Sequence, residues 1–131
     1  MVKNQTNNKR KKDFPVVLLH AAREELFGLS AIDRAEFIAA IDDFEEFGPH
    51  SLQVNTEKIQ GNMYEIKTHS QSHWLRGFYF HFHKGLWLIT HFFAKKTNKT
   101  PKANVELGLA RYQTFLAADE SKNAREKNEQ K

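Results

Sequence analysis

The sequence predicts a single α+β domain in the order β-α-α-β-β-β-α, with an antiparallel sheet packed against helices. Three observations carry this. The chain has 131 residues, 40% hydrophobic and 12% aromatic, which suffices for one domain with a real core and not for two. Apolar residues recur at helical spacing before Pro49 and give way afterwards to runs of aromatic and β-branched residues. Both ends are polar: residues 1–13 carry NKRKK and residues 119–131 are nearly all charged or amide. These ends are read as a basic and a charged tail around a domain spanning 14–118.

The elements follow in order. FPVVLLH, from Phe14 to His20, is a short apolar run that reads as a strand. A short helix is expected from about Ala21 to Phe27, stopped by Gly28. Ser30 and Asp33 form an S-x-x-D start signal for the second helix. Phe37, Ile38, Ile41, Phe44 and Phe47 give it an apolar stripe, Asp42, Asp43, Glu45 and Glu46 a solvated face, and Gly48-Pro49 an end. After a loop come three strand signals, MYEIKT (Met63–Thr68), WLRGFYFHFH (Trp74–His83) and LWLITHFFA (Leu86–Ala94), the last two joined by a tight turn at Lys84-Gly85. Both sides of the middle strand are aromatic, so the pattern does not say which face carries the core. Thr100 suits an N-cap and Pro101 the first helical position of the last helix, whose stripe is Val105, Leu109, Tyr112 and Leu116.

Composition excludes several function classes. With no cysteine, there is no disulfide, thiolate zinc site or thiol nucleophile. No apolar stretch reaches the roughly 18 residues of a membrane span and no secretion signal is visible, so the cytoplasm is the expected compartment. Net charge is +4, but the distribution says more. From Ile66 to Val105 there is no Asp or Glu, while Lys67, Arg76, Lys84, Lys95, Lys96, Lys99 and Lys102 lie there with five of the seven histidines. Residues 23–46 instead hold eight acids against Arg23 and Arg34. Strands are poor in acids in any case, but that does not account for the clustered lysines, which suit a phosphate-binding surface. HFFAKKTNKTP (His91–Pro101) runs from the last strand to a helix start, where free N–H groups favour anions.

The histidines need separate weighing. His81 and His83 fall on one side of a strand, but a metal needs three or four ligands and no acids lie nearby, so neither a metal nor a cofactor is expected. His91 shares a side with Phe93, and a buried, hydrogen-bonded place suits it. His69 and His73 lie in a polar hairpin loop, where surface exposure is expected and either could transfer a proton at neutral pH. Trp74, Phe78 and Phe80 share the Arg76 side, so they suit core packing or, beside a cation, base stacking.

MYEIKTHSQSHWLRGFYFHFHKGLWLITHFFAKKTNKTP resembles the phage-derived branch of the RelE/HigB toxin family. Tyr64, Glu65 and Ile66 match the family's first motif, with Lys67 in an arginine place. Arg76, Tyr79 and Phe80 match the second, and His91, Phe93, Lys95, Lys96, Thr97, Lys99, Thr100 and Pro101 the third. HAAREEL and EEFGP resemble its first half, and Glu106, Ala110 and Arg111 its last helix. Trp74-Leu75 and Gly77 depart from the pattern. The resemblance implies a RelE/ParE-like domain and a type II toxin: a metal-independent endoribonuclease cutting mRNA at the ribosome. It also implies a helix-turn-helix antitoxin that holds the toxin in a hetero-oligomer. On this reading Arg76, Lys67 and Lys95 carry the chemistry. Lys96, Lys99, Lys102 and Arg111 bind RNA phosphate, and His69, His73 or His91 serves as acid or base. Two alternatives stay open, a gyrase-poisoning toxin of the same superfamily and an inactive relative that only binds the antitoxin.

Overall fold

The structure is a computed structural model, and it describes residues 12–82 and 85–129. Most of the basic N-terminal tail, together with His83 and Lys84 of the expected turn, lies outside the described residues. The element order is β1 (Val16–Leu18), α1 (His20–Gly28), α2 (Ala31–Phe47), β2 (Thr56–Gln60), β3 (Met63–His69), β4 (Trp74–Phe82), β5 (Leu86–Lys95) and α3 (Lys102–Glu129). These form a five-stranded sheet, β1-β5-β4-β3-β2, with helices packed against it.

Four expectations need correcting. The sheet is mixed: β2 to β5 run antiparallel in succession, but β1 pairs parallel to β5. A parallel pair needs a crossover, and here everything between the two strands supplies it. Where the mostly polar TEKIQ suggests a loop, the chain forms β2; as an edge strand only half covered, it needs no apolar run. The acids of α2 are not all solvated, because Asp33 and Glu45 are buried. Glu45 Oε2 accepts the Val16 N–H at 2.9 Å and its backbone carbonyl the Phe14 N–H at 3.0 Å, so this carboxylate closes one end of edge strand β1. Last, the charged stretch from Asp119 is helical and continues α3 to Glu129, with residues 120–124 exposed.

Ser30 does start α2, its Oγ accepting the Asp33 N–H at 3.2 Å, and Gly48 ends it. The two faces of the sheet each carry a core. On one, Leu75, Tyr79, Ile66, Ile89 and Phe92 pack on Ala22, Leu26, Phe37 and Phe44 of α1 and α2. On the other, Met63, Phe78 and Phe80 pack on Val105, Leu109 and Tyr112 of α3. Alternation along β4 thus serves two cores, which is why both its sides are aromatic. Gly77 belongs to the first face, where a Cβ would stand 3.0 Å from the Phe92 ring and 3.1 Å from Ile66.

α3 lies close to the sheet because Gly108 faces it. A Cβ there would meet Phe78 Cδ2 at 2.7 Å and Met63 Cε at 3.1 Å, and the Gly108 carbonyl accepts the Thr90 hydroxyl at 3.0 Å. Thr90 is the extra residue of a bulge, since Phe78 pairs with His91 and Tyr79 with Ile89. Although Ala is the better helix former, Gly108→Ala is expected to destabilise the fold by about 2 kcal/mol through overpacking. Urea unfolding measures this, and a variant more stable than the parent would show that α3 can move away freely.

Candidate functional site

Directly opposed residues in antiparallel strands share a face. On the α3 side of the sheet this builds three rows: His69–Trp74–Lys95, Lys67–Arg76–Phe93 and Glu65–Phe78–His91. Five residues singled out from the sequence, His69, Lys67, Arg76, Lys95 and His91, therefore lie on one face. The third row is capped by α3: Phe78 packs under Gly108, and His91 Nε2 lies 2.6 Å from Asn104 Oδ1. The first row stays open. Trp74 is 38% exposed, and its neighbours are the β3–β4 hairpin loop and the segment following Lys95.

Arg76 in the middle row is buried, with its side chain 2% exposed. Nη1 donates to the carbonyls of Leu75 at 3.0 Å and Thr68 at 3.4 Å, and Nη2 donates to Asn98 Oδ1 and, at 3.4 Å, to the Asn98 carbonyl. Nε makes no hydrogen bond but lies 3.7 Å from buried Glu65 Oε2. Burial lowers the guanidinium below its ordinary value, and the charges of Glu65 and Glu57 act in the opposite sense; arginine remains a cation throughout. Thr100 does not cap α3, because its hydroxyl donates to Glu65 Oε2 at 2.6 Å. The first helical carbonyl is that of Pro101, which accepts from Asn104 and Val105.

The lysine–threonine–proline block thus folds back onto the sheet. Asn98 sits on Arg76, Thr100 on Glu65, and Lys95 Nζ donates to the Lys99 carbonyl. Lys96 and Lys99 are exposed, as is Lys102, which lies 3.9 Å from Glu106 one helical turn on. Lys67 stands across from Arg76, but its ammonium donates at 2.6 Å to Glu57 of β2, a hydrogen bond that holds the Glu57 carboxyl below its usual range.

The histidines separate. His69 is exposed, with its ring edge-on to Trp74 at 5.8 Å. His73 turns toward α2: its Nδ1 lies 2.8 Å from Asp33 Oδ2, an ion-pair contact without hydrogen-bond geometry, while Asp33 Oδ1 accepts the Ser70 hydroxyl at 2.6 Å. Ser70 bonds to the carboxylate and not to His73, so no Ser-His-Asp relay forms. His91 is buried away from the open row. Its Nδ1 lies 2.9 Å from Glu25 Oε1, which also accepts from Arg111 Nη1 at 2.8 Å and from the Phe92 N–H at 3.1 Å. Burial alone would raise the Glu25 carboxyl; the hydrogen bonds from His91, Arg111 and Phe92, with the charge of His91, overcome this and bring it down to about 2. Arg111 and His91 thus sit in a clamp joining α1, β5 and α3, apart from the open row.

Among the described residues, no group of three or more His, Asp or Glu is placed to hold a metal ion, and no helix is long and apolar enough to cross a membrane. Sequence reasoning assigned no role to Asn98, Glu65 or Glu25. Only Glu65 carried a signal, as an acid among Met63, Tyr64 and Ile66 at the apolar end of β3.

A family model described as phage derived protein Gp49-like (DUF891) matches residues 24–113. The chain belongs to this family. No curated protein matches it. The Gp49-like match runs from α1 into α3, taking in the three rows, the lysine block and all three partners of Glu25.

Proposed function

We propose that this Gp49-like chain is the toxin of a type II toxin–antitoxin system, a metal-independent endoribonuclease that cuts mRNA at the ribosome and is held by a helix-turn-helix antitoxin. The family is one of RelE-like toxins, which supports the class. The observation that carries the chemistry is the open row His69–Trp74–Lys95, with Arg76 directly behind it and Lys96 beside it.

Cleavage without a metal needs a base to take the 2′-OH proton, cations around the phosphorane, and an acid for the leaving O5′. The 2′-oxygen bonds to phosphorus as the P–O5′ bond breaks, leaving a 2′,3′-cyclic phosphate and a 5′-hydroxyl. Lys95 and Lys96 hold the phosphate, and exposed His69 takes the 2′-OH proton and delivers it to the leaving O5′. Arg76 stabilises the developing charge: Asn98 Oδ1, in an exposed loop, stands on Nη2 where a phosphate oxygen would replace it. Lys67 adds positive potential, and Lys99 and Lys102 hold the flanking backbone.

Induced expression without antitoxin is expected to arrest growth and shorten mRNA half-life, with cuts inside translated frames. Arrest with intact mRNA and broken DNA would sink the ribonuclease reading in favour of gyrase poisoning.

A further inference from the structure

Beside the open row is a hollow of about 270 Å³, lined by the hairpin residues His69, Ser70, Gln71, Ser72 and His73 together with Trp74 and Lys96. At roughly 30 Å³ per water molecule, it has room for a flat ring. We propose that it is a nucleobase subsite: one unstacked base of single-stranded RNA stacks on Trp74, while the hairpin reads the base's edge. The inference rests on the ribonucleolytic reading above and adds to it a residue that sets sequence preference.

Three features point to a base and not merely to another phosphate contact. The wall is aromatic: the Trp74 indole is 38% exposed, and Arg76 Cζ lies 5.7 Å from its ring. An exposed aromatic on a cationic face is the platform on which single-stranded nucleic acid stacks. The rim is polar, since the Gln71 amide and the Ser72 hydroxyl can pair with base edges. And the loop is held in shape from outside itself. Ser70 N–H to His73 carbonyl, 3.0 Å, already closes the hairpin. Yet buried Asp33 of α2 also grips the Ser70 hydroxyl and stands against His73, and Ser70 Oγ accepts the N–H groups of Ser72 and His73 at 3.1 Å. A simple chain reversal needs none of this, whereas a recognition loop gains from being preorganised.

The geometry also places the base next to the chemistry. Trp74 lies between His69 and Lys95 in one row, so a base stacked there brings its own ribose and phosphate to the proposed proton-transfer and phosphate groups.

The test uses the full chain and five single-stranded 2′-O-methyl RNA oligonucleotides, which cannot be cut: four that carry each of the bases in turn at one central position, and a counterpart abasic there. Binding is followed by anisotropy of a label on the RNA. Trp74→Ala is expected to weaken binding of the base-bearing oligonucleotides by about 10-fold, with Trp74→Phe recovering most of it and the abasic counterpart binding parent and Trp74→Ala alike. Gln71→Ala is expected to change the order of preference among the four bases. If parent and Trp74→Ala bind base-bearing RNA equally, the subsite is overturned while the ribonuclease reading stands. If the parent binds neither the base-bearing set nor the abasic counterpart, that reading falls too.

Discussion

Arg76→Lys is expected to cut RNA about 10²-fold more slowly at saturating substrate, with RNA affinity little changed. Lysine keeps the charge but loses the fork whose two ends hold different partners, the carbonyls of Leu75 and Thr68 on one side and Asn98 on the other. Because Arg76 is buried, stability must be separated from chemistry. Arg76→Ala leaves the Glu65 carboxylate, 3% exposed, with Thr100 but no cation, which costs about 3–5 kcal/mol. Rates are therefore compared by single turnover, well below the unfolding temperature of each variant. Asn98→Ala provides the opposite change: it removes the acceptor on Nη2 and leaves the strands and Glu65 untouched, so its cleavage is expected to match or exceed the parent's. Should Arg76→Lys cut at the parental rate while its unfolding midpoint drops, Arg76 is a structural ion pair, and Lys95 and His69 carry the reaction alone.

The same residue shows where the sequence could and could not be read. β3, β4 and β5 were legible because their middle segments pack on both faces of the sheet and so are rich in aromatic and β-branched residues, and α2 and α3 because each buries a single stripe. β2 was not, since an edge strand with Glu57 and Lys58 looks like any polar loop. Arg76 looks in sequence like an exposed cation, for arginine is seldom fully buried. Its burial depends on Glu65, which is diagonal to it across β3 and β4, and that relation needs a register no single sequence supplies. Thr100 and Asn98 sit in a motif that suggests a cap and an anion loop; instead Glu65 and Arg76 take them first. The clamp at Glu25 was least legible of all, because its partners lie 66 and 86 residues away, and an acid on a short surface helix has no local mark of that role.

Glu25→Ala is therefore expected to produce a large loss of stability without removing any group from the open row. A carboxyl brought from 4.5 to about 2 stabilises the folded state by roughly 3 kcal/mol at 1.36 kcal/mol per pH unit, somewhat less after partial exposure is allowed for. Its folded value is depressed, so this stability is fully present above the unfolded value near 4.5 and is lost as pH falls toward 2. In the variant, Arg111 Nη1 is left 3.4 Å from His91 Nδ1 with no carboxylate between them. At pH 7 the unfolding midpoint should drop by roughly 10 °C. Urea unfolding of parent and variant at successive pH values then checks the sign: the gap should be widest above pH 5 and close as the solution approaches pH 2. Two curves that stay parallel down to pH 2.5 would mean that the clamp holds α1, β5 and α3 by packing alone, with the ionised carboxylate contributing nothing.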